Sequence, residues 1–277
     1  VLRGNDGSWY VYDAASFKPL VTIPNEIIGG APEFEPRWDA TDPKLFYYLY
    51  GTELRSYDTE TGATTTVHDF RGEFPGAAYI TTKSEGDAAV HRGFWCFAVE
   101  DADFNVKEVV AFDKEVGMVT GRRSGFPDEV NWVSSDMSGT HCLVGYDSRV
   151  AQVFSRDLTM FMDLPAGAIG HIDLAVDAYE EDVAVYQNVA TDWIAMADLT
   201  TGEETNLVEL PFNDNLDLGL HISGNNNDVP GWVLVSTYGA RNPPPGSSHS
   251  WMDNQLFMVE LKRNPRIWRL AHTHSYT

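Results

Sequence analysis

The feature that most constrains this chain is a phrase repeated along it: an apolar stretch that usually ends in Tyr or Phe, then an Asp, a short polar turn and, in most copies, a closing Gly. It occurs as WYVYDAAS, LRSYDTETG, VVAFDKEVG and IAMADLTTG, with a degenerate copy in VFSRDLT. The Asp residues, Asp13, Asp58, Asp113, Asp157 and Asp198, are separated by 45, 55, 44 and 41 positions. Each phrase reads as a hairpin. The Asp carboxylate can accept from its own backbone two or three residues on, and the Gly supplies the positive φ that such a turn requires.

Upstream of the hairpins lie further strand pairs, PRWDATDPKLFYYLY, VNWVSSDMSGTHCLVGY and HIDLAVDAYEEDVAVYQ. Four strands per unit without an intervening helix argue against alternating βαβ organisation. A repeat of about 40–50 residues matches a propeller blade, so the expected fold class is all-β, a β-propeller of four-stranded antiparallel blades. About five complete blades plus partial terminal ones are expected in a single domain over 1–277, incomplete at both ends. Seven blades, or six, would need strands from outside this sequence. The final stretch, RIWRLAHTHSYT, reads as stopping where a new inner strand begins.

Charge bounds the partners. With 41 acidic and 19 basic side chains the formal net charge is −22, a field that repels nucleic acid and anionic membranes. No run of eighteen apolar residues is present, which excludes a transmembrane helix. The chain opens at Val1 inside a strand pattern, with no charged and apolar leader. Cys96 and Cys142 each sit in an apolar strand-like run and read as two small buried hydrophobes in preference to a disulfide.

Histidine carries the functional signal. His171 in AIGHIDLAVD and His221 in LGLHISGNNN stand where inner strands begin, and His272 reads as opening the blade after them. If the blades surround one axis, these imidazoles converge on one rim. His272 and His274 form H-T-H, whose i and i+2 side chains share a strand face and could grip one divalent metal such as zinc, manganese or calcium. The competing reading is that inner-strand histidines only satisfy hydrogen bonds between blades. Arg149 in GYDSRVAQVF, Tyr238 and Arg241 in STYGARNPPPG, and His249 with Trp251 in the following long loop fall nearby. Arg149 could pair with a carboxylate and Trp251 could stack on a sugar. His68, His91 and His141 read as structural. DADFN from Asp101 reads as turn chemistry, not as a calcium loop.

The phrases GHIDLAVDAYEEDVAVY, GLHISGNNNDVPGWVLVSTYG and NQLFMVELKRNPRIWRLAHTHS resemble the β-propeller polysaccharide lyases, above all the ulvan lyase-like group and, more distantly, oligogalacturonate lyase. The likeness covers mainly residues 147–277. It implies an Arg, a catalytic His, a metal-binding His and a His-x-His pair, here Arg149, His171, His221 and His272 with His274. A Gln expected three residues before that pair is Arg269 in this chain.

The implied reaction is β-elimination on a uronate-containing acidic polysaccharide, ulvan-like or pectin-like, by a secreted, extracellular or periplasmic enzyme. His171 would be the base, with Arg149, Tyr238 and His249 assisting. Arg241, Trp251 and Arg269 would bind substrate, and His221, His272 and His274 would hold metal. The alternative is a non-catalytic binding module of the same fold.

Overall fold

The structure is a computed structural model that describes residues 2–3, 8–13, 15–24, 27, 36–39, 41–83, 93–165, 169–210, 218–224, 229–239 and 251–272. Its strands form six antiparallel sheets in chain order. The first sheet has three described strands, β1 (Leu2–Arg3), β2 (Trp9–Tyr12) and β3 (Pro19–Ile23). The next two sheets have four strands each, β4 (Arg37–Trp38), β5 (Leu45–Tyr50), β6 (Glu53–Asp58) and β7 (Thr64–Asp69), then β8 (Tyr79–Thr81), β9 (Phe94–Glu100), β10 (Val106–Asp113) and β11 (Met118–Arg123). The fourth holds β12 (Val130–Ser135), β13 (His141–Tyr146), β14 (Ala151–Ser155) and β15 (Phe161–Asp163). The fifth holds β16 (Ile169–Val176), β17 (Asp182–Asn188), β18 (Trp193–Asp198) and β19 (Glu204–Glu209). The sixth holds β20 (Leu218–Ser223), β21 (Trp232–Gly239), β22 (Gln255–Glu260) and β23 (Ile267–His272). In each sheet the spatial order is the chain order, so every unit is a meander.

The repeated Asp does what its chemistry predicts. Asp13, Asp58, Asp113, Asp157 and Asp198 accept from the backbone N–H of Ser16, Glu60, Glu115, Thr159 and Thr200 at 2.6, 2.8, 3.0, 3.1 and 2.9 Å. Gly62, Gly117 and Gly202 close three of these turns at φ of 73, 68 and 73°. The phrase DADFN is likewise a turn, with Asp101 accepting from the N–H of Asp103 and Asn105.

Five apolar clusters fill the five interfaces between sheets consecutive in the chain. Strand β9 shows why alternation pins these faces: Phe94, Cys96 and Ala98 pack toward the fourth sheet, and Trp95, Phe97 and Val99 toward the second. All seven residues of β9 are buried, as a strand covered on both faces must be.

Two expectations are corrected here. Cys96 and Cys142 are not separate hydrophobes but a disulfide, with Cα atoms 5.9 Å apart, joining the second strands of successive sheets. Their separation of 46 residues is one repeat length, so both occupy the same place in neighbouring units. The second correction concerns the end of the chain. His272 does not open a further inner strand; it is the last residue of β23, the outermost strand of the sixth sheet, paired with β22.

A polar network joins the fourth and fifth sheets at the end opposite the β13–β14 turn. The fully buried Asp136 accepts from the N–H of Thr140 and His141 and pairs with His141 Nδ1 at 2.6 Å. Asp182 of the next sheet accepts from Ser138 N–H at 3.3 Å. The bond to Asp136 raises the pKa of His141 above its ordinary 6.5, with Asp182 and Asp198 adding negative charge nearby. Burial, helped by Asp136, raises the pKa of Asp182. A raised His favours the folded state fully below about 6.5 and loses that contribution as pH climbs through its folded value. The raised Asp182 acts in the same sense, starting at lower pH. The melting temperature is therefore expected to fall from pH 6 to pH 9, and a thermal scan of His141→Gln should show a smaller fall. His68 is also structural, paired with Glu73 and packed on Phe70 and Phe112.

Candidate functional site

The inner strands β16 and β20 run side by side, and each carries one imidazole, His171 near the start of β16 and His221 in the middle of β20. His171 and His221 have ring centroids 4.3 Å apart at an interplanar angle of 58°. A buried carboxylate holds the strands in this register: Asp173 of β16 accepts from Gly224 N–H, just past β20, at 2.7 Å. Tyr238, on β21, lies 6.2 Å from His221 between ring centroids.

Tyr238 reaches that position because its cross-strand partner has no side chain. A Cβ on Gly219 would stand 2.0 Å from the Tyr238 ring. Gly219→Ala is therefore expected to displace the phenol and destabilise the fold by about 1–3 kcal/mol. A lowered denaturation midpoint together with a changed tyrosine fluorescence would report it. Glycine acts in the same way at Gly145, over which the Trp132 indole lies.

Beside His171 a cleft of about 500 Å³ opens, walled by Trp132, Tyr146, Arg149, Gln187 and Lys83. Arg149 is exposed in the β13–β14 turn at φ 63°, a left-handed conformation, and its carbonyl accepts from Ile169 N–H at 2.6 Å, two residues before His171. Its guanidinium has no carboxylate partner among the described residues. Lys83 is committed instead to the buried Glu100 at 2.8 Å. Burial pushes the Tyr146 phenol up to about 12, so it stays protonated and donates to Gln152 at 2.6 Å. Among the described residues the cleft thus offers one cation without a carboxylate partner, Arg149, one imidazole with a second beside it, and an indole wall. That set suits an anionic, partly apolar ligand such as an acidic sugar.

Other residues singled out from the sequence lie elsewhere. His272 was expected at the inner entrance of a next blade; it ends β23, three strands from β20 and, at ~4.8 Å per strand, roughly 14 Å out in the sheet. Arg269 lies on the same outer strand opposite Phe257. Trp251 is 51% exposed, with its ring 5.4 Å from Phe257, and does not line the cleft. Arg241, His249 and His274 lie outside the described residues, as does His91. Among the described residues no three His, Cys, Asp or Glu side chains gather as a metal ion requires, so the donor set found here, two imidazoles, does not by itself make a metal site. Sequence reasoning passed over Lys83, Trp132, Tyr146 and Gln187. A Trp on an inner strand, facing a Gly on the next, was the signal available for Trp132.

No protein-family model matches the chain, and no curated protein sequence does so. Solved structures do. An oligogalacturonate lyase in complex with manganese aligns at TM-score 0.57 and 13% identity, over 98% of this chain and 84% of that one. TolB from Acinetobacter baumannii aligns at TM-score 0.51 and 14% identity, over 96% of this chain and 60% of that one. A chain of a nidogen/laminin complex aligns at 0.50 and 12%, over 96% and 89%. The fold is a β-propeller. At these identities the likeness establishes the propeller architecture and nothing finer. The six sheets are its blades, the clusters between them are its blade interfaces, and the cleft lies on one rim, where blade-to-blade loops and second-to-third strand turns meet. No helix among the described residues is long and apolar enough to cross a membrane.

Proposed function

We propose that this propeller is a polysaccharide lyase that cleaves a uronate-containing acidic polysaccharide, ulvan-like or pectin-like, by β-elimination. The observation that carries the reading is the pair of imidazoles, His171 and His221, packed against each other beside a cleft whose exposed cation is Arg149. The proton at C5 of a uronate is weakly acidic until the neighbouring carboxylate is neutralised. Arg149 supplies that neutralisation. His171 takes the C5 proton, the C–H electron pair becomes the C4–C5 double bond, and the C4–O bond breaks toward the leaving sugar. The leaving oxygen takes a proton, for which Tyr238, beside His221, and His249 are the candidates. Arg241, Trp251 and Arg269 are the remaining candidates for binding more distant sugars.

The manganese of the similar lyase raises the question of a metal here. Zinc, manganese or calcium on His221 would need donors beyond His171; His272, three strands out on β23, is too far to be one, which leaves His274 as the candidate from the sequence. No step is routed through such an ion. The overall charge of −22 opposes a polyanion, so binding rests on the local field at Arg149 and should weaken steeply with salt. The disulfide fits an oxidising compartment, consistent with secretion to the periplasm or the outside. The test is a screen of uronate polymers for the absorbance of unsaturated uronate products. Product formation by the wild type supports the lyase; silence on every polymer, with no metal bound, favours a non-catalytic binding propeller.

A further inference from the structure

In the second to sixth blades the chain passes from second to third strand on the same rim, and the described residues of each of these connections include one at positive φ. That residue is Gly51 in the second blade, Asp192 in the fifth and Asn254 in the sixth, at φ of 57, 59 and 51°. These residue types tolerate that conformation. In the third and fourth blades the residue is Phe104 and Arg149, both at 63°. The two turns are built alike: Phe104 N–H donates to Asp101 O and Arg149 N–H to Tyr146 O, while Asp101 and Tyr146 donate to Asn105 O and Val150 O. For a bulky aromatic this backbone is an outlier, and such outliers concentrate where a side chain is needed in place.

Phe104 does not offset that strain by burial, since it is 49% exposed. It lies parallel to Tyr79, with an interplanar angle of 1° and centroids 4.8 Å apart, leaving its other face outward. Lys83 donates to Phe104 O at 3.4 Å and also walls the cleft that contains Arg149 and His171. One side chain therefore touches both the backbone of Phe104 and the cleft.

We propose that Phe104, backed by Tyr79, is a stacking subsite for a sugar unit of the same chain whose acidic unit occupies the cleft at Arg149. The outward ring face matches the apolar C–H face of a pyranose, and both lose water on contact. The assignment rests on the acidic-polysaccharide reading for the identity of the chain, but its experiment separates the two. Mobility retardation in gels containing polygalacturonate, or a neutral galactan, would be measured for wild type, Phe104→Asn and Phe104→Tyr, alongside their melting temperatures. Asn suits the left-handed slot, so Phe104→Asn should melt no lower than wild type yet bind polygalacturonate about three- to tenfold more weakly, with Phe104→Tyr near wild type. Equal retardation of wild type and Phe104→Asn on polygalacturonate would overturn the subsite and leave the lyase reading standing. Retardation by galactan alone, still lost in Phe104→Asn, would support the subsite while removing the uronate. No retardation of wild type by either polymer would overturn both.

Discussion

Replacing His171 by Ala is expected to lower turnover of a uronate polymer by about 10²- to 10⁴-fold, the usual loss when a general base is removed. The side chain is half-buried against His221 and holds no apolar core together, so the melting temperature should move by no more than a few degrees. If His171 acts as base, kcat falls while the KM for polymer changes little, because Arg149 and the cleft wall remain. A variant that keeps wild-type turnover would remove His171 from the chemistry. Loss of turnover together with lost polymer binding would move it from base to binding residue.

The second large effect concerns the staple between the third and fourth blades. Cys96 and Cys142 are 1% and 0% exposed and sit within one apolar cluster. A bond closing a loop of 46 residues restricts the unfolded chain by about 4 kcal/mol in the chain-entropy account. Cys96→Ala combined with Cys142→Ala is thus expected to lower the melting temperature by on the order of 10 °C, including the small cavities left behind. Differential scanning calorimetry of wild type, the double variant and wild type with reductant would measure it. Reductant should reproduce the loss only as the blades open, because neither sulfur is accessible in the native state. A double variant that melts with wild type would show the bond to be dispensable.

Much of the architecture was legible because it is written in local chemistry. The Asp that starts each hairpin and the Gly that closes it act within a few residues, so their repetition exposed the blade period directly. The disulfide was missed for the opposite reason. Nothing near Cys96 or Cys142 announces the other, and only the recognition that 46 residues equal one repeat would have placed them face to face.

The histidines divide along the same line. His171 and His221, 50 residues apart, occupy equivalent inner strands and meet. His272 follows His221 by 51 residues, and that spacing alone suggested a third equivalent. The long connection between β21 and β22 uses up the difference, so the same count ends on the outermost strand of one blade and not on the first strand of another. Arg149 was legible as a cation near the site, but its left-handed slot and its correspondence to Phe104 exist only in the fold.

Everything proposed for the site requires that the rim cleft at Arg149 and His171 bind the acidic unit of a sugar chain. Titration calorimetry of a galacturonate oligomer into wild type and Arg149→Ala, at low and at high salt, tests it most directly. Wild type is expected to bind with an affinity that weakens with salt and falls at least about tenfold in Arg149→Ala, as for a lost guanidinium–carboxylate pair. Equal affinity of the two proteins for the oligomer, or no binding by wild type at low salt, would contradict it.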